Sequence, residues 1–321
     1  MRRLLLGLTV TVLASCATVP PHDVPSQNAP VTVEPTTWVT PAPTPTLGQQ
    51  SPSSHDVGPT SRATPALTRP APTPVDTGSV PPTTPAANLP SRHDIEQKYS
   101  GVSPTAWGEH IDGIISILPT TDKVVALTFD ACGWGKGSGY DADLISFLIE
   151  KQIPATLFIS GKWIEDNPGK LEYLAAQKNF EIENHGYLHK PLSVNGRAAY
   201  GVAGTGSPGE VYDEIVNNAQ RIEEITGRRP VFFRTGTAFY DDVALQIAHD
   251  LGVRIAGFTI ASDAGATFTK AQILAANSNP PNGAILLFHM NHPEGQTNEG
   301  VRALYDTLVA RGYRFVTMQD Y

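Results

Sequence analysis

The chain has 321 residues and a formal net charge of −8, from 23 basic and 31 acidic side chains. That balance gives no basic footprint, so nucleic acid is excluded as an expected partner. Of its 28 prolines, 18 fall within residues 17–92, so the chain is not one uniform globule.

Residues 1–15 read as an export signal, with Arg2 and Arg3 ahead of a short apolar stretch from Leu4 to Leu13 that cannot span a bilayer. The stretch closes Leu13-Ala14-Ser15-Cys16, which resembles the lipobox of bacterial lipoproteins. That resemblance implies cleavage before Cys16 and lipid on it, with more than one acyl chain for stable anchoring. An ordinary secretory signal with a chance cysteine is the alternative. The Pro/Thr/Ser-rich segment 16–92 has too few clustered aliphatics to offset its ordering entropy and is expected to act as a tether. The protein is thus expected to be exported, held to a membrane through Cys16, and to face the cell wall or periplasm.

Globular composition begins at 93, and 93–321 suits a single domain. The run 124–130 is β-rich and is followed by a glycine-rich turn, 132–139. Helical spacing over 140–152 comes next, then a strand at 155–161. A helix is expected over 167–178, with Asn167 as its cap and Pro168 at its first position. A strand at 180–185 leads into a loop, 186–208, with five glycines. Ser207 and Glu210 have capping-box spacing and open a helix that runs to Gly227. Strands are then expected at 231–234, 254–260, 284–289 and 314–318. Helices over 240–251, 269–279 and 297–311 separate them. Strict β–α alternation with seven units predicts an α/β fold, a distorted (β/α)7 barrel whose active site lies at the C-terminal ends of the strands. An open doubly wound sheet is the alternative, but no Gly-x-Gly-x-x-Gly follows the first strand. The packing of 93–123 is left open.

Reactive side chains sit where these strands become loops. Asp130 closes the first run, His185 ends the third with His189 four residues on, Arg234 ends the fourth, Asp263 follows the fifth and His289 ends the sixth. In a parallel sheet these ends share one face, the place where active sites are built. Two histidines four apart can present nitrogens to one ion, so the pattern predicts a metal-dependent hydrolase.

Five short motifs stand in order over 124–321: Thr128-Phe129-Asp130; His185-x-x-x-His189 with Pro191; Arg234; Asp263; and Leu287-Phe288-His289. Together they resemble the polysaccharide deacetylase family. The resemblance implies a metal-dependent hydrolase acting on carbon–nitrogen bonds, which removes acetyl from an N-acetylated glycan such as peptidoglycan or a chitin-like chain. It implies a divalent metal, zinc first and cobalt second. It assigns Asp130 as base, His185 and His189 as ligands and His289 as acid, with Arg234 and Asp263 orienting them. Two rivals stay open: another metal-dependent C–N amide hydrolase on this scaffold, and a glycan-binding protein without catalysis.

Three positions depart from the family pattern. A second aspartate, a metal ligand, is usual after the first; here it is Ala131. Cys132, which has no cysteine partner if Cys16 carries lipid, is then a candidate third ligand as thiolate. Burial in the core is the competing expectation for Cys132. After Arg234 the run Thr235-Gly236-Thr237-Ala238-Phe239-Tyr240 lacks the usual proline, leaving Tyr240 a candidate for the substrate wall. The tryptophan often found after the fourth motif is also missing.

Overall fold

The computed structural model describes residues 89–321. The expected signal segment, Cys16 and nearly all of the expected tether lie outside the described residues.

Eleven short strands and eight helices alternate through the described chain. The barrel begins with β3 (Val124–Ala131), after the lead-in elements α1 (Arg92–Lys98), β1 (Trp107–Gly108) and β2 (Ile114–Ile115). It continues through α2 (Ala142–Glu150), β4 (Ala155–Ile159), α3 (Gly161–Asp166), α4 (Lys170–Ala175), β5 (Phe180–Asn184), α5 (Pro208–Thr226) and β6 (Phe232–Phe233). Then come β7 (Tyr240–Asp241), α6 (Asp242–Asp250), β8 (Arg254–Ala256), β9 (Ile260–Ala261) and α7 (Lys270–Ala276). The last elements are β10 (Ala284–His289), α8 (Thr297–Ala310) and β11 (Arg314–Val316).

The main sheet runs in the order β2-β8-β6-β5-β4-β3-β10-β9, with β11 also paired to β3, and its ladders are all parallel. The strand expected over 254–260 is interrupted. Its first part pairs with Phe232 and Phe233, while Ile260 and Ala261 pair with Leu286 and Leu287. One length of chain thereby carries the sheet from β6 round to β10 and curls it into a distorted barrel. Counting β8 and β9 as one strand, seven strands from β3 to β11 make up the (β/α)7 fold.

Side-chain alternation along β3 builds two layers. Val125, Leu127, Phe129 and Ala131 pack outward with Leu144 and Leu148 of α2 and Leu304 and Leu308 of α8. Val124 and Ala126 face the barrel interior with Phe158, Phe232, Ile285 and Leu287. Each such fully buried aliphatic or aromatic side chain stabilises the fold by about 1.5–3 kcal/mol. Asp130 and Cys132 continue the interior row, so the strand's period already separates them from Ala131.

Several local expectations are corrected. The helix expected over 167–178 is the shorter α4, and an unexpected helix, α3, ends just ahead of it because Pro168 disfavours helical backbone at the residue before it. Asn167 has φ −129° and ends α3 rather than capping the next helix. Its side-chain amide donates to the carbonyls of Ser138 and Trp163. The helix expected from 240 starts at Asp242, capped by Asp241, since Tyr240 and Asp241 pair antiparallel with Gly108 and Trp107. Ser207 caps α5 as expected, but Glu210 reaches back to the amide of Gly206 instead of the cap residue. The lead-in is part of the domain: Ile95 of α1 and Tyr99 just after it pack with Val211 and Ile215 of α5, and β2 joins the sheet beside β8.

Candidate active site

The loops at the C-terminal ends of β3, β5, β6, β9 and β10 bring the singled-out side chains together. Asp130, near the end of β3, is almost fully buried. Its Oδ1 accepts from Arg234 Nη1 at 2.8 Å, and its Oδ2 lies 3.6 Å from His185 Nε2. Arg234 is wholly buried, a position that a guanidinium tolerates only with its donors satisfied. Nη1 also donates to Thr128 Oγ1 at 3.0 Å and Nη2 to the Gly257 carbonyl at 2.7 Å. The guanidinium lies 4.2 Å from the ring centre of Phe158.

His185 donates from Nδ1 to the Arg234 carbonyl at 2.9 Å, which assigns Nε2 as the free imidazole nitrogen. That nitrogen faces Cys132 Sγ at 3.7 Å. The His189 ring meets His185 edge-on, with centroids 4.9 Å apart, and its Nε2 is buried with no hydrogen-bond partner. Ligand atoms of Cys132, His185 and His189 all lie within 4.8 Å of one another. Burial pushes the Cys132 thiol up. The charge of His189 and hydrogen bonds with His185, His189 and His289 outweigh that and hold it well below its usual 9.0. Burial likewise pulls His185 down, but the Asp130 carboxylate and Cys132 raise it overall. A cysteine sulfur whose ionised form the surroundings favour and two imidazole nitrogens are a donor set suited to a tetrahedral divalent ion with one position left open. The buried, unpartnered His189 Nε2 is the observation that such an ion explains best.

The backbone around these groups is held from outside the site. Ser160 Oγ donates to the Cys132 carbonyl at 2.6 Å and accepts from Trp163 N at the start of α3. Gly133 has φ +75°, and a Cβ there would lie 2.6 Å from Trp163 N, so the chain can leave Cys132 along this path only with glycine. His189 adopts φ +57°. Glu214 of α5, itself buried, accepts from the amides of Leu188 and Lys190 on either side of it. Gly236 packs directly on His189, where a Cβ would come 2.4 Å from the ring's Cγ. The absent proline of the third motif thus makes way for a glycine that lets the Arg234 loop close against His189.

Across the site, Asp263 is fully buried and accepts three hydrogen bonds. They come from His289 Nδ1 at 2.9 Å, His289 N at 2.7 Å and Thr297 Oγ1 at 3.0 Å. Burial alone would lower the His289 imidazole, but Asp263 holds it well above 6.5. His289 also lies within hydrogen-bonding reach of Cys132.

Ala131 is buried in the outer layer with the helices and takes no part in the site. Tyr240 is corrected: it is wholly buried, its hydroxyl accepts from Thr235 N at 2.9 Å, and it forms no substrate wall. Glu214, Asn184, Asn218 and Thr297 were not singled out from the sequence. The signal for two of them was present. Glu214 and Asn218 interrupt the buried stripe Val211, Ile215, Ala219, Ile222 of α5, and a polar residue on an apolar stripe needs a partner. Asn218 donates to the Ile159 carbonyl and to Asn184 Oδ1.

Together these features define a class, α/β barrels with a His/Cys/carboxylate cluster at the C-terminal ends of parallel strands. The family model described as polysaccharide deacetylase matches residues 118–256. Among relatives, the Bacillus subtilis protein YlxY is 23% identical over 226 residues, 69% of this chain and 65% of its own. A chitooligosaccharide deacetylase from Bradyrhizobium sp. is 24% identical over 179 residues, 54% of this chain and 74% of that protein. Two solved structures share the fold. The Bacillus subtilis family 4 carbohydrate esterase PdaA has TM-score 0.51 at 19% identity, over 65% of this chain and 84% of that one. A CE4 family pseudoenzyme from Bacillus anthracis has TM-score 0.50 at 23% identity, over 62% of this chain and 64% of that one.

Proposed function

We propose that this domain is a metal-dependent N-deacetylase that hydrolyses acetamido groups of an N-acetylated glycan. One observation carries the reading: ligand atoms of Cys132, His185 and His189 converge within 4.8 Å of one another beside Asp130 and His289, and His189 Nε2 is buried with no hydrogen-bond partner. The family-model match and the names of relatives such as the Bradyrhizobium enzyme support it.

Cys132, His185 and His189 would hold the ion, with zinc the best match to two nitrogens and a thiolate and cobalt next. A divalent ion at such a position polarises an amide carbonyl and acidifies water. The chain's own residues supply the proton transfers. Arg234 anchors Asp130 by Oδ1, so Oδ2 is left to accept the proton of the attacking water. His289, oriented through Nδ1 by Asp263, whose charge favours the protonated imidazole, donates from Nε2 to the departing amine nitrogen. Acetate and a free amino sugar result.

Acetate release from N-acetylated chitooligosaccharide and from peptidoglycan, measured with added zinc or cobalt, tests this reading. Release is expected in the wild type, lost on chelation and lost in Asp130→Asn. Glycan binding without any release would replace it with a binding protein on the same fold. Release from non-glycan amides alone would replace it with another C–N hydrolase.

We also propose that the chain is exported and anchored to a membrane by lipid on Cys16, the segment 16–92 serving as a tether that favours a cell-envelope glycan such as peptidoglycan. The n-region, the apolar stretch and the Leu13-Ala14-Ser15-Cys16 sequence support this. Among the described residues no helix is long and apolar enough to cross a membrane. Cys16→Ala should move the protein from the membrane fraction to the soluble exported fraction; unchanged membrane retention would refute the lipid.

A further inference from the structure

Sulfur is scarce in this chain and unevenly placed. Its sulfur-bearing residues are Cys16, Cys132 and the methionines Met1, Met290 and Met318. Met290 and Met318 are wholly buried inside the domain, whereas Cys132 is only partly buried. Among the described residues, Cys132 therefore carries the one sulfur that solvent reaches.

That sulfur also stands at the centre of the site. His185 Nε2 lies 3.7 Å from it, and ligand atoms of Cys132, His185 and His189 lie within 4.8 Å of one another. The buried His189 Nε2, with no hydrogen-bond partner, points to an ion shared by the three. Of these donors only the thiolate stands on the ladder of mild oxidation that begins with sulfenic acid; imidazole nitrogens do not. On the other side of the sulfur, His289 lies within hydrogen-bonding reach and is held through Nδ1 by Asp263. Its Nε2 is thus placed to give a proton to a group that reacts at Sγ.

Resting on the reading of Cys132 as a metal ligand, we infer that its thiolate is a site of reversible oxidation by peroxides, and that conversion to sulfenic acid empties the metal site. Sulfur bound to a dication is deprotonated, so it attacks as the thiolate. A sulfur lone pair forms the S–O bond to one oxygen of hydrogen peroxide, and the O–O bond breaks. The second oxygen leaves with a proton from His289 Nε2 as water, so sulfur is oxidised and peroxide is reduced. The sulfenic sulfur no longer carries the charge that neutralises the ion, and two imidazoles alone are an incomplete set for zinc. No second cysteine is present among the described residues, so no disulfide forms within the domain. Recovery needs a thiol from outside. It condenses with the sulfenic acid, releasing water, and a second thiol reduces the mixed disulfide back to Cys132. The proposed deacetylase is then switched off by peroxide and restored by thiols.

Treatment of the zinc-loaded protein with hydrogen peroxide tests the inference without any glycan. Released zinc is followed with a chelating dye, and sulfenic acid is trapped with dimedone and located by peptide mass spectrometry. The wild type should carry the adduct at Cys132 and lose its zinc in step with it. Dithiothreitol in place of dimedone should return the zinc. Cys132→Asp replaces the sulfur with a carboxylate donor that peroxide leaves alone, and the zinc it binds should stay bound through the same treatment. An unmodified Cys132, zinc retained by wild-type protein whose Cys132 is modified, or equally fast loss from Cys132→Asp each overturns the inference. Acetate release that peroxide does not slow also removes it and leaves the deacetylase reading standing. Zinc loss on oxidation from a protein that releases no acetate has the opposite meaning, since the switch then survives and the deacetylase reading falls.

Discussion

Strand β5 turns Glu181, Glu183 and then His185 toward the barrel interior, and so contributes to two buried ionisable clusters of opposite character. At the C-terminal end the charges are mixed. Asp130 pairs with Arg234, a stabilised thiolate faces two imidazoles, and His189 Nε2 has no partner. One turn of the ladder below, two carboxyls lie together, and among the described residues no ion pair joins either to a cation. Glu183 accepts from the amides of Val231 and Phe232. Glu181 accepts from Thr156 Oγ1 and from the amides of Met318 and Gln319. Burial raises both, and the charge of Glu181 raises Glu183 further. The lower cluster ties strand ends and the C-terminal turn together and settles its charge with protons, although Glu181 Oε1 is also buried without a hydrogen-bond partner. The upper one keeps charge and an unpaired nitrogen in reserve, the condition expected of a site that binds something.

The largest effects are expected where the upper cluster is opened. Asp130→Asn removes the base and should lower acetate release by about 10³-fold or more. Arg234→Met breaks the same ion pair from the other side and leaves the carboxylate buried alone. It should cost about 3–5 kcal/mol of stability, read as a lower urea midpoint. A variant as stable as wild type would mean that Asp130 is hydrated and that the contrast with the lower cluster is weaker than drawn.

Next in size is the ligand set. Cys132→Ala should weaken zinc binding by more than the roughly 10- to 100-fold that loss of an outer partner costs, measured by competition with a chelating dye. Unchanged affinity would leave two histidines and water as the only ligands. Glu214→Gln touches no ligand atom, but it loosens the amides on either side of His189. A decrease in zinc affinity of about tenfold is expected, with the fold kept, since a glutamine oxygen still reaches one of the two amides.

How much of this was legible in the sequence follows from the kind of signal each part leaves. Apolar runs mark the seven barrel strands, and β10 stands at its expected bounds because its six inward- and outward-facing residues are all apolar or terminal to the strand. The strand-end residues were legible for the same reason: each is a reactive group at the close of such a run. What the sequence hid depends on contacts distant along the chain. The break between β8 and β9 comes from a change of pairing partner, which no local pattern records. Tyr240 looked like a wall residue until β1, more than a hundred residues earlier, paired with it. Cys132 could be weighed only against burial, because its distance to His185 depends on how β3, β4 and β5 align.

The smallest expected effect belongs to the lower cluster, and it has the opposite sign. Both carboxyls have folded-state values raised above the 4.5 of an ordinary glutamate, so the folded protein prefers their protonated forms. Their contribution to stability is complete below the unfolded value near 4.5 and declines as pH rises through the raised folded values. Glu183→Gln keeps an oxygen acceptor for Val231 and Phe232 and removes the charge that would otherwise appear. The unfolding free energy of this variant, read from its urea transition, should therefore exceed that of wild type at about pH 8 by on the order of 1 kcal/mol, and the gap should close toward about pH 5. Acetate release should track the wild type across the same range, because none of the atoms proposed to move protons touches Glu183. A variant less stable than wild type at alkaline pH would show that the pair carries a charge the fold uses, and the two clusters would then differ in degree and not in kind.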